Sequence, residues 1–335
     1  MAMPPVTVIM PVLNEEAHLE GAVDSILSQD YAGILELILA LGPSRDGTNK
    51  IAAQLAKKDP RIILLDNPRG LTTVGLNAAI KLAKHDYIIR IDAHSEPAQG
   101  YIHNGILELM AQDADLVGGI MDAKGRSAFQ RAVAWAYTSQ FGLGSASYHV
   151  GGEAGEAESA YLGIFRKSAL IRVGGYDEAI IRGEDWDLAQ RIKATGGLVW
   201  FSPALKVTYW PRGRFNGLAK QFFSTGVWRG DLTRRDLKRA SRRYFAPPAL
   251  VSAILLGFVL LIFGNLIGIM PLAGYLFAIV FLSISSSGLK LKDRFALMIV
   301  LPTMHLGWGL GFIRGYLLGA GNTIDKSRMT KDQLK

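Results

Sequence analysis

Asp92 and His94 stand two residues apart at the end of an apolar run, residues 88–91. Such a run is typical of a buried β-strand, and residues two apart on a strand point to the same side. In an α/β sheet, ligands bind outside the carboxyl ends of the strands. A carboxylate and an imidazole there can hold a divalent metal, and a metal can hold a diphosphate. We therefore predict a metal–diphosphate site at this edge; a strand followed by a polar turn is the alternative.

A second pair of acidic residues, Glu184 and Asp185, opens a predicted helix that runs to about residue 194. A carboxylate near a diphosphate site can act as a general base that deprotonates an attacking hydroxyl on the side opposite the leaving diphosphate. Both residues are candidate catalytic groups, with Asp185 as the base. A simple N-terminal helix cap is the alternative for Asp185.

Two further loops are expected at the same edge, residues 11–16 and 42–48, and each carries a carboxylate. Carboxylates suit the base and ribose hydroxyls of a nucleotide, while glycine and serine in the second loop permit close backbone approach. Asn14 is also predicted to cap a helix that runs to about residue 28, with Glu15 and Glu16 in its first turn. No G-x-G-x-x-G or Walker lysine loop follows the first strand, which disfavours dinucleotide and P-loop folds.

The elements that would position these loops alternate between strand and helix through the first ninety residues or so. This alternation predicts an α/β fold with a Rossmann-like, mostly parallel sheet and right-handed crossovers. The predicted strands cover residues 6–10, 35–41, 62–65, 88–91, 115–119, 161–166, 198–201 and 207–209.

Composition limits the class of partner. The chain has 335 residues, a formal net charge of +8 and no cysteine. Disulfides, thiolate metal sites and a cysteine nucleophile are therefore excluded. The basic balance fits phosphorylated ligands, and the apolar C-terminal third favours anionic membrane lipids over nucleic acid. The first residues carry no charged or apolar leader pattern, so no signal peptide is expected.

The C-terminal third predicts a membrane region. A basic segment at residues 229–243 precedes apolar stretches at 249–263, 266–286 and 295–318. The positive-inside rule places the basic segment and residues 290–294 on the cytoplasmic side, which two spans satisfy. The third stretch contains Pro302, His305 and Arg314, and a third span would put the basic tail outside. Whether it spans is therefore left open.

The predicted domains follow from this division of the chain. They are a catalytic domain at 1–214, a basic interfacial segment at 215–246, the transmembrane helices at 247–320 and a polar tail at 321–335.

Taken together, the motifs resemble those of family 2 glycosyltransferases with the GT-A fold. Within that family the chain is most similar to membrane-attached enzymes of the succinoglycan-biosynthesis β-glucosyltransferase type. The stretches that carry the resemblance are 6–16, Ser44-Arg45-Asp46-Gly47-Thr48, 75–77, Arg90-Ile91-Asp92-Ala93-His94, 182–185, 209–212 and 221–229.

The resemblance implies an inverting, metal-dependent transfer from a nucleotide sugar, a UDP-sugar, to a lipid-linked saccharide in cell-envelope or exopolysaccharide synthesis. It implies Mn²⁺ or Mg²⁺ as cofactor, held by Asp92 and His94. Donor binding is assigned to Pro11, Asn14, Glu15, Asp46, Arg69, Asn77 and Asp92. Acceptor or phosphate binding is assigned to Arg212, Gln221, Trp228 and Arg229.

Two departures from the family pattern refine this expectation. The metal motif ends in His94 rather than in aspartate, which favours Mn²⁺ somewhat. The spacing between Gln221 and Trp228-Arg229 differs from that of processive synthases, which favours transfer of a single sugar. The glycine-rich segment around 142–158 is expected to shape the acceptor pocket.

Two alternatives stay open at this point. One is transfer to a polyprenyl phosphate, an acceptor that is already an anion. The other, from a different class, is a non-catalytic membrane scaffold that binds nucleotide sugars. The expected location is the inner membrane, as a multi-pass protein with a cytoplasmic catalytic domain.

Overall fold

The computed structural model describes residues 2–143 and 146–321, which form two compact units. The first unit comprises residues 2–122 and 146–209, and the second comprises 123–143 and 210–321. The domain boundary predicted at residue 214 lies close to the division after Tyr209. Residues 123–143, predicted to belong to the first domain, instead group with the C-terminal helices. The predicted tail lies outside the described residues, apart from Gly321.

Within the described residues, nine strands form one sheet. Eight of them follow the order β3-β2-β1-β4-β8-β6-β9-β5, and the ninth, β7, pairs with β9. Strands β1 to β4 are parallel, whereas β8 runs antiparallel to β4 and to β6. The strands are β1 Val6–Val12, β2 Leu35–Leu41, β3 Ile62–Asp66, β4 Tyr87–Arg90, β5 Ser95–Pro97, β6 Leu116–Ala123, β7 Gly155–Glu156, β8 Tyr161–Arg166 and β9 Val199–Tyr209.

The α-helices in the same ranges surround this sheet or form the second unit. They are α1 Leu19–Leu27, α2 Thr48–Lys58, α3 Thr72–Leu82, α4 Tyr101–Ala111, α5 Ala128–Tyr137, α6 Ser147–Val150, α7 Lys167–Arg172, α8 Glu184–Ala194, α9 Phe215–Arg235, α10 Ala246–Ile262, α11 Met270–Ser285 and α12 Leu291–Leu318. The α/β prediction with a mostly parallel first half is confirmed.

Successive side chains of a strand point to opposite faces of the sheet, and the apolar ones form a core on each face. On β1, Val8 and Met10 are buried against α1 and α4 on one face, while Ile9 is buried with Leu76 of α3 on the other. Burial on both faces explains why the parallel strands read as continuous apolar runs.

The strand ends define the edge where the site forms. Val12 pairs with Leu41, and Leu41 pairs with Asp66, so β1, β2 and β3 end level with one another. β4 ends at Arg90, which pairs with Ile9 of β1. The loops after β1, β2 and β4 therefore leave the sheet at the same edge.

Two local predictions are wrong. Asn14 does not cap α1: the helix begins at Leu19 after His18, and Asn14 adopts a left-handed backbone with φ of 55°. The strands predicted at 198–201 and 207–209 form one strand, β9. Pro203 lies between the part of β9 that pairs with β7 and the part that pairs with β5.

The second unit is built on α12, which packs against α5, α9, α10 and α11. The contact between α9 and α12 is a backbone contact made through glycines. A Cβ added at Gly311 would collide with the carbonyl oxygen of Phe223, and one at Gly315 would collide with that of Val227. Close approach of this kind requires glycine at both positions.

Three helical segments are long and apolar enough to cross a membrane. They are Arg242–Ile262, Leu266–Ser285 and Leu291–Leu318. The last of them is one continuous helix of 28 residues that contains Pro302. These segments are consistent with membrane association.

Candidate active site

The guanidinium of Arg90 lies at the centre of the candidate site. Arg90 is the last residue of β4, and its side chain is only 4% exposed. Its Nε donates to Oδ1 of Asp92 at 3.1 Å and its Nη2 donates to Oε1 of Glu184 at 3.1 Å. Its Nη1 donates to Oδ1 of Asp185. One buried cation therefore joins the residues after β4 to the first turn of α8.

The left-handed residue that precedes α8 places the carboxylates of Glu184 and Asp185 in the first turn of the helix. Gly183 precedes it with φ of 82°, a left-handed conformation that glycine adopts without strain. The helix then starts at Glu184, with Asp185 and Asp187 in the same turn. Acidic residues are favoured there by the positive end of the helix dipole.

The surroundings of Asp185 alter its acidity. Burial raises the pKa of the Asp185 carboxyl to about 7, Arg90 opposes that rise, and the carboxylates of Glu184 and Asp92 add to it. A general base works best when its pKa lies near the working pH. Asp185 is therefore suited to accept a proton near neutrality.

Tyr176 completes the wall around this cation. The Arg90 guanidinium lies over its ring, 5.6 Å from the centroid. Burial raises the pKa of the Tyr176 hydroxyl well above its usual range, so the ring stays neutral. The contact favours one orientation of the guanidinium.

His94 is tied to the loop after β1. Its Nδ1 lies 3.1 Å from Oε1 of the buried Glu15. The His94 ring makes an edge-to-face contact with Tyr209 at the end of β9, with 6.4 Å between the ring centroids. A metal-binding histidine commonly shares its second ring nitrogen with a carboxylate, which leaves Nε2 for the metal.

Asp92 and His94 fit a metal only as part of a larger set of ligands. Their side chains are 21% and 25% exposed. In the ranges that the structure describes, no cluster of three or more histidine, aspartate or glutamate side chains could hold a cation. Mg²⁺ is usually held by one or two carboxylates together with substrate phosphates and water, and carboxylate oxygens also suit Mn²⁺. The pair therefore fits a cation whose coordination a diphosphate completes.

Hydrogen bonds connect the loops after β1 and β2. Oδ1 of Asn14 accepts from the Arg45 backbone at 2.7 Å, and the Asn14 backbone donates to Oγ of Ser44 at 3.0 Å. The backbone of Glu15 donates to Oγ1 of Thr48 at 2.8 Å. The left-handed Asn14 thus turns the first loop onto the second.

Asp46 is held within the same network. Partial burial would raise the pKa of its carboxyl, but hydrogen bonds from Thr48 and from the Glu16 backbone outweigh burial and lower that pKa. The group stays ionised and is suited to accept hydrogen bonds from a base or a ribose. Pro11, half-buried, belongs to β1 at the start of this loop.

Arg69 and Asn77 contact the segment that leads to α8. Nη1 of Arg69 donates to Glu178 at 2.9 Å. The Asn77 amide donates to the Tyr176 carbonyl at 2.9 Å and accepts from the Tyr176 backbone at 2.8 Å. These contacts hold the segment before Glu184 in place, and the assignment of both residues to donor binding stays a prediction.

Glu158 holds α8 from a second direction. Its Oε1 accepts from Nε1 of Trp186 at 2.7 Å, and its carbonyl accepts from the side chain of Gln190 at 2.7 Å. Trp186 directly follows Asp185, so this contact fixes the first turn of the helix on its other side. Residues 144–145 of the predicted acceptor loop lie outside the described residues.

The four residues assigned to the acceptor all belong to the second unit. Trp228 is buried at 3% exposure within α9, and the Arg229 guanidinium lies over the ring of Tyr244, 4.4 Å from its centroid. Gln221, on the same helix, and Arg212 are half-buried. Their role in acceptor binding stays a prediction.

The model of glycosyl transferase family 2 matches residues 7–174. The chain belongs to glycosyltransferase family 2. This match covers β1 to β8 and includes Asp46, Arg90, Asp92 and His94, while Glu184 and Asp185 lie beyond it.

Individual relatives agree with this assignment. The family 2 chain is 30% identical to the succinoglycan biosynthesis protein ExoA of Rhizobium meliloti, over 92% of this chain and 94% of that protein. It is 23% identical, over 94% and 98% of the two chains, to a dolichyl N-acetyl-α-D-glucosaminyl phosphate 3-β-D-2,3-diacetamido-2,3-dideoxy-β-D-glucuronosyltransferase of Methanococcus voltae.

A solved structure shares the fold. The mannosyltransferase PcManGT of Pyrobaculum calidifontis, in complex with GDP-Man and Mn²⁺, superposes with a TM-score of 0.59 at 19% identity, over 93% of this chain and 87% of that one. The predicted GT-A-like α/β fold and the membership of family 2 are confirmed.

Arg90 is the site residue that sequence reasoning missed. A charge within a buried strand requires a partner, because an isolated charge is costly to bury. Arg90 interrupts the apolar run 88–91, and this anomaly was the available signal. Its three carboxylate partners could not be read from spacing, since two of them lie more than ninety positions away.

Proposed function

We propose that this family 2 enzyme transfers one sugar, with inversion, from a UDP-sugar to a lipid-linked saccharide during cell-envelope or exopolysaccharide synthesis. One observation carries the proposal. The Arg90 guanidinium contacts Asp92 on one side and the pair Glu184 and Asp185 on the other. A candidate diphosphate site and a candidate base therefore share one buried cation.

On the donor side, the loops after β1 and β2 supply the nucleotide contacts. Pro11, Asn14 and Glu15 line the first loop, and the ionised Asp46 accepts from the base or ribose. Arg69 and Asn77 contribute to donor binding by holding the segment that contains Tyr176 and Glu178. Bound with the diphosphate at Asp92 and His94, Mn²⁺ or Mg²⁺ would neutralise negative charge on the leaving group.

Asp185 performs the proton transfer. Its carboxylate takes the proton of the acceptor hydroxyl, whose oxygen forms a bond to the anomeric carbon. The bond from that carbon to the diphosphate oxygen breaks, and the electron pair leaves with the nucleoside diphosphate. Arg90 holds the Asp185 carboxylate in position, and Glu184 accepts from the same guanidinium. Attack opposite the leaving group inverts the anomeric carbon.

The acceptor is a membrane lipid that carries a saccharide. The apolar C-terminal helices support this proposal, as does the name of the M. voltae relative, which acts on a dolichyl-linked sugar phosphate. Arg212, Gln221, Trp228 and Arg229 are proposed to bind the acceptor or its phosphate, with Trp228 buried in the helix that also carries Gln221 and Arg229. The proposed location is the inner membrane, as a multi-pass protein with a cytoplasmic catalytic domain.

A donor screen tests the proposal. Purified protein in detergent is incubated with UDP- and GDP-sugars, Mn²⁺ or Mg²⁺, and polyprenyl-diphosphate-linked saccharide, and release of nucleoside diphosphate is measured. Release that requires both acceptor and metal is expected. A parallel reaction with polyprenyl phosphate tests the alternative acceptor. Binding of nucleotide sugar without release under any condition would instead support the non-catalytic scaffold.

A further inference from the structure

The surface of α12 is divided into two faces. Five apolar side chains on it are between 48% and 71% exposed, and they are spaced by nearly whole numbers of helical turns, so they share one face. They are Leu291, Phe295, Ile299, Leu310 and Leu317. The opposite face is covered by other helices of the second unit.

The first half of the covered face meets a charged partner. Nε and Nη2 of Arg131, on α5, donate to the two carboxylate oxygens of Asp293 at 3.0 and 2.8 Å. Asp293 is 1% exposed and lies in the first turn of α12. Helix α12 therefore begins with an ion pair to α5, in which the carboxylate is buried and the guanidinium of Arg131 is 39% exposed.

The second half of the covered face meets α9. A Cβ at Gly226 would collide with the carbonyl of Trp308, and one at Gly230 with that of Phe312, so the two backbones touch over this stretch. There α9 carries Asp231, which is 1% exposed and pairs with Arg234 at 3.1 Å and Arg235 at 2.6 Å.

These contacts conflict with a transmembrane position for α12. If α12 crossed the bilayer, α9 would have to enter it at backbone contact. The exposed Lys220 of α9 follows Ala219, which lies beside Gly307 in the middle part of α12, so its charge would lie inside the bilayer, whereas Asp231 and Arg234 lie at the end of α12, beside Gly319. Each charged side chain at the centre of a membrane helix costs about 2.5–3.5 kcal/mol on insertion scales. The preceding hairpin of α10 and α11 contrasts with this, because residues 246–289 contain no charged side chain.

We propose that α12 lies along the membrane surface rather than across the bilayer. Its exposed apolar face enters the lipid interface, α5 and α9 cover its water-facing side, and the chain crosses the bilayer only with the hairpin α10–α11. Two features favour lipid as the occupant of the face. It continues from the apolar hairpin, and the charged residues that accompany it are Lys292, Arg294 and Arg314, which suit anionic headgroups. In the most apolar window of α12, 39% is buried, against 17% for each hairpin helix.

The absence of cysteine allows a clean test. Two single-cysteine variants of the full chain, Lys238→Cys before the hairpin and Ser327→Cys after α12, are labelled with a membrane-impermeant maleimide in intact and inverted vesicles. Two crossings between these positions put both labels on one side, whereas a crossing α12 makes three and puts them on opposite sides. Labelling from opposite sides would overturn the proposal.

The depth of α12 in the membrane provides a second test that does not depend on the two labelling variants. Cysteines at Phe295, Ile299 and Leu310 carry bimane, and quenching is compared between lipids with shallow and deep nitroxides. A surface helix gives similar, shallow depths at all three positions. A depth that increases from Phe295 towards Leu310 would refute the proposal. Neither measurement uses a donor or an acceptor, so their outcome is separate from that of the transfer assay.

Discussion

Oε1 of Glu15 lies 3.1 Å from Nδ1 of His94, which links the loop after β1 to the loop after β4. The contact orients the imidazole and leaves its Nε2 for a ligand. We expect Glu15→Gln to weaken the affinity of the donor-bound enzyme for Mn²⁺ by about 10–100-fold, since carboxylate partners of metal-binding histidines contribute that much. Metal titration of donor binding measures it. Glu20→Gln, at an exposed position on α1, should leave the titration unchanged.

Removal of the metal gives a related test. Chelation by EDTA should abolish donor binding, and added Mn²⁺ should restore it, because Asp92 and His94 would bind the diphosphate only through a cation. Asp92→Asn and His94→Ala should require more metal for the same binding. His85→Ala serves as a histidine control. Undiminished turnover after exhaustive chelation would refute the metal site.

Asp185→Asn should lower kcat by roughly 10²–10⁴ while donor affinity is retained, because general-base catalysis contributes about that much. Asp187→Asn is the matched control, since Asp187 lies in the same helical turn but pairs with Arg191 at 2.7 Å. Single-turnover rates and equilibrium donor binding separate the two effects. A near-normal rate in Asp185→Asn would show that another group is the base.

Arg90→Met should damage both stability and activity. Removing one partner from a buried ion pair costs about 3–5 kcal/mol, here because three carboxylates would be left facing one another. Displacement of Asp185 should lower kcat/KM by about 10²-fold or more. Thermal unfolding and steady-state kinetics measure the two losses. Arg61→Met removes an arginine from a solvent-exposed ion pair with Asp59 and should have little effect.

The raised pKa of Asp185 predicts two opposite trends with pH. With the Asp185 carboxylate as the proposed base, kcat/KM should rise with pH through a midpoint near 7 and level off above it. Stability should change in the other direction. The folded state holds this proton with a pKa of about 7, against 3.8 for the ordinary carboxyl, so the stability contribution is complete below about pH 4 and is lost as pH rises to about 7.

Denaturation midpoints at pH 5 and pH 8 test the second trend. The contribution from residue 185 should be absent in Asp185→Asn, so its stability relative to the wild type should improve as the pH rises. A difference between the two proteins that does not change with pH would contradict the raised pKa.

The contact between α9 and α12 makes a separate prediction about packing. Gly315→Ala places a Cβ against the carbonyl of Val227 and should destabilise the protein by about 1–3 kcal/mol. Gly274→Ala, in α11, meets nothing within 4 Å and is the matched control. Thermal unfolding in detergent compares the two. Equal unfolding midpoints for the two variants would show that α9 and α12 can move apart without loss of stability.

Much of the sheet could be predicted, because the buried parallel strands are largely apolar runs bounded by turn residues; in β2 only Glu36 interrupts the run. Failures arose where local signals conflict with tertiary contacts. Asn14 has the residue type of a helix cap, yet its side chain accepts from the Arg45 backbone in a neighbouring loop. Pro203 resembles a strand end, yet β9 continues through it.

The candidate site was predictable in part for a similar reason. Asp92 and His94 follow a strand and are close in sequence, so their proximity could be inferred. Asp185 could be nominated only by type and position at a helix start. Its partner Arg90 comes from a strand 95 positions away, and no periodic pattern encodes such a contact.

The cluster around Arg90 also has an excess of negative charge. A single guanidinium there faces three carboxylates, those of Asp92, Glu184 and Asp185. A nucleotide diphosphate is itself an anion, so on its own it would be repelled from this end of the sheet. Donor and cation should therefore arrive together, or the cation first. The negative charge of the ligand-free enzyme would then determine the order in which the cation and the donor bind.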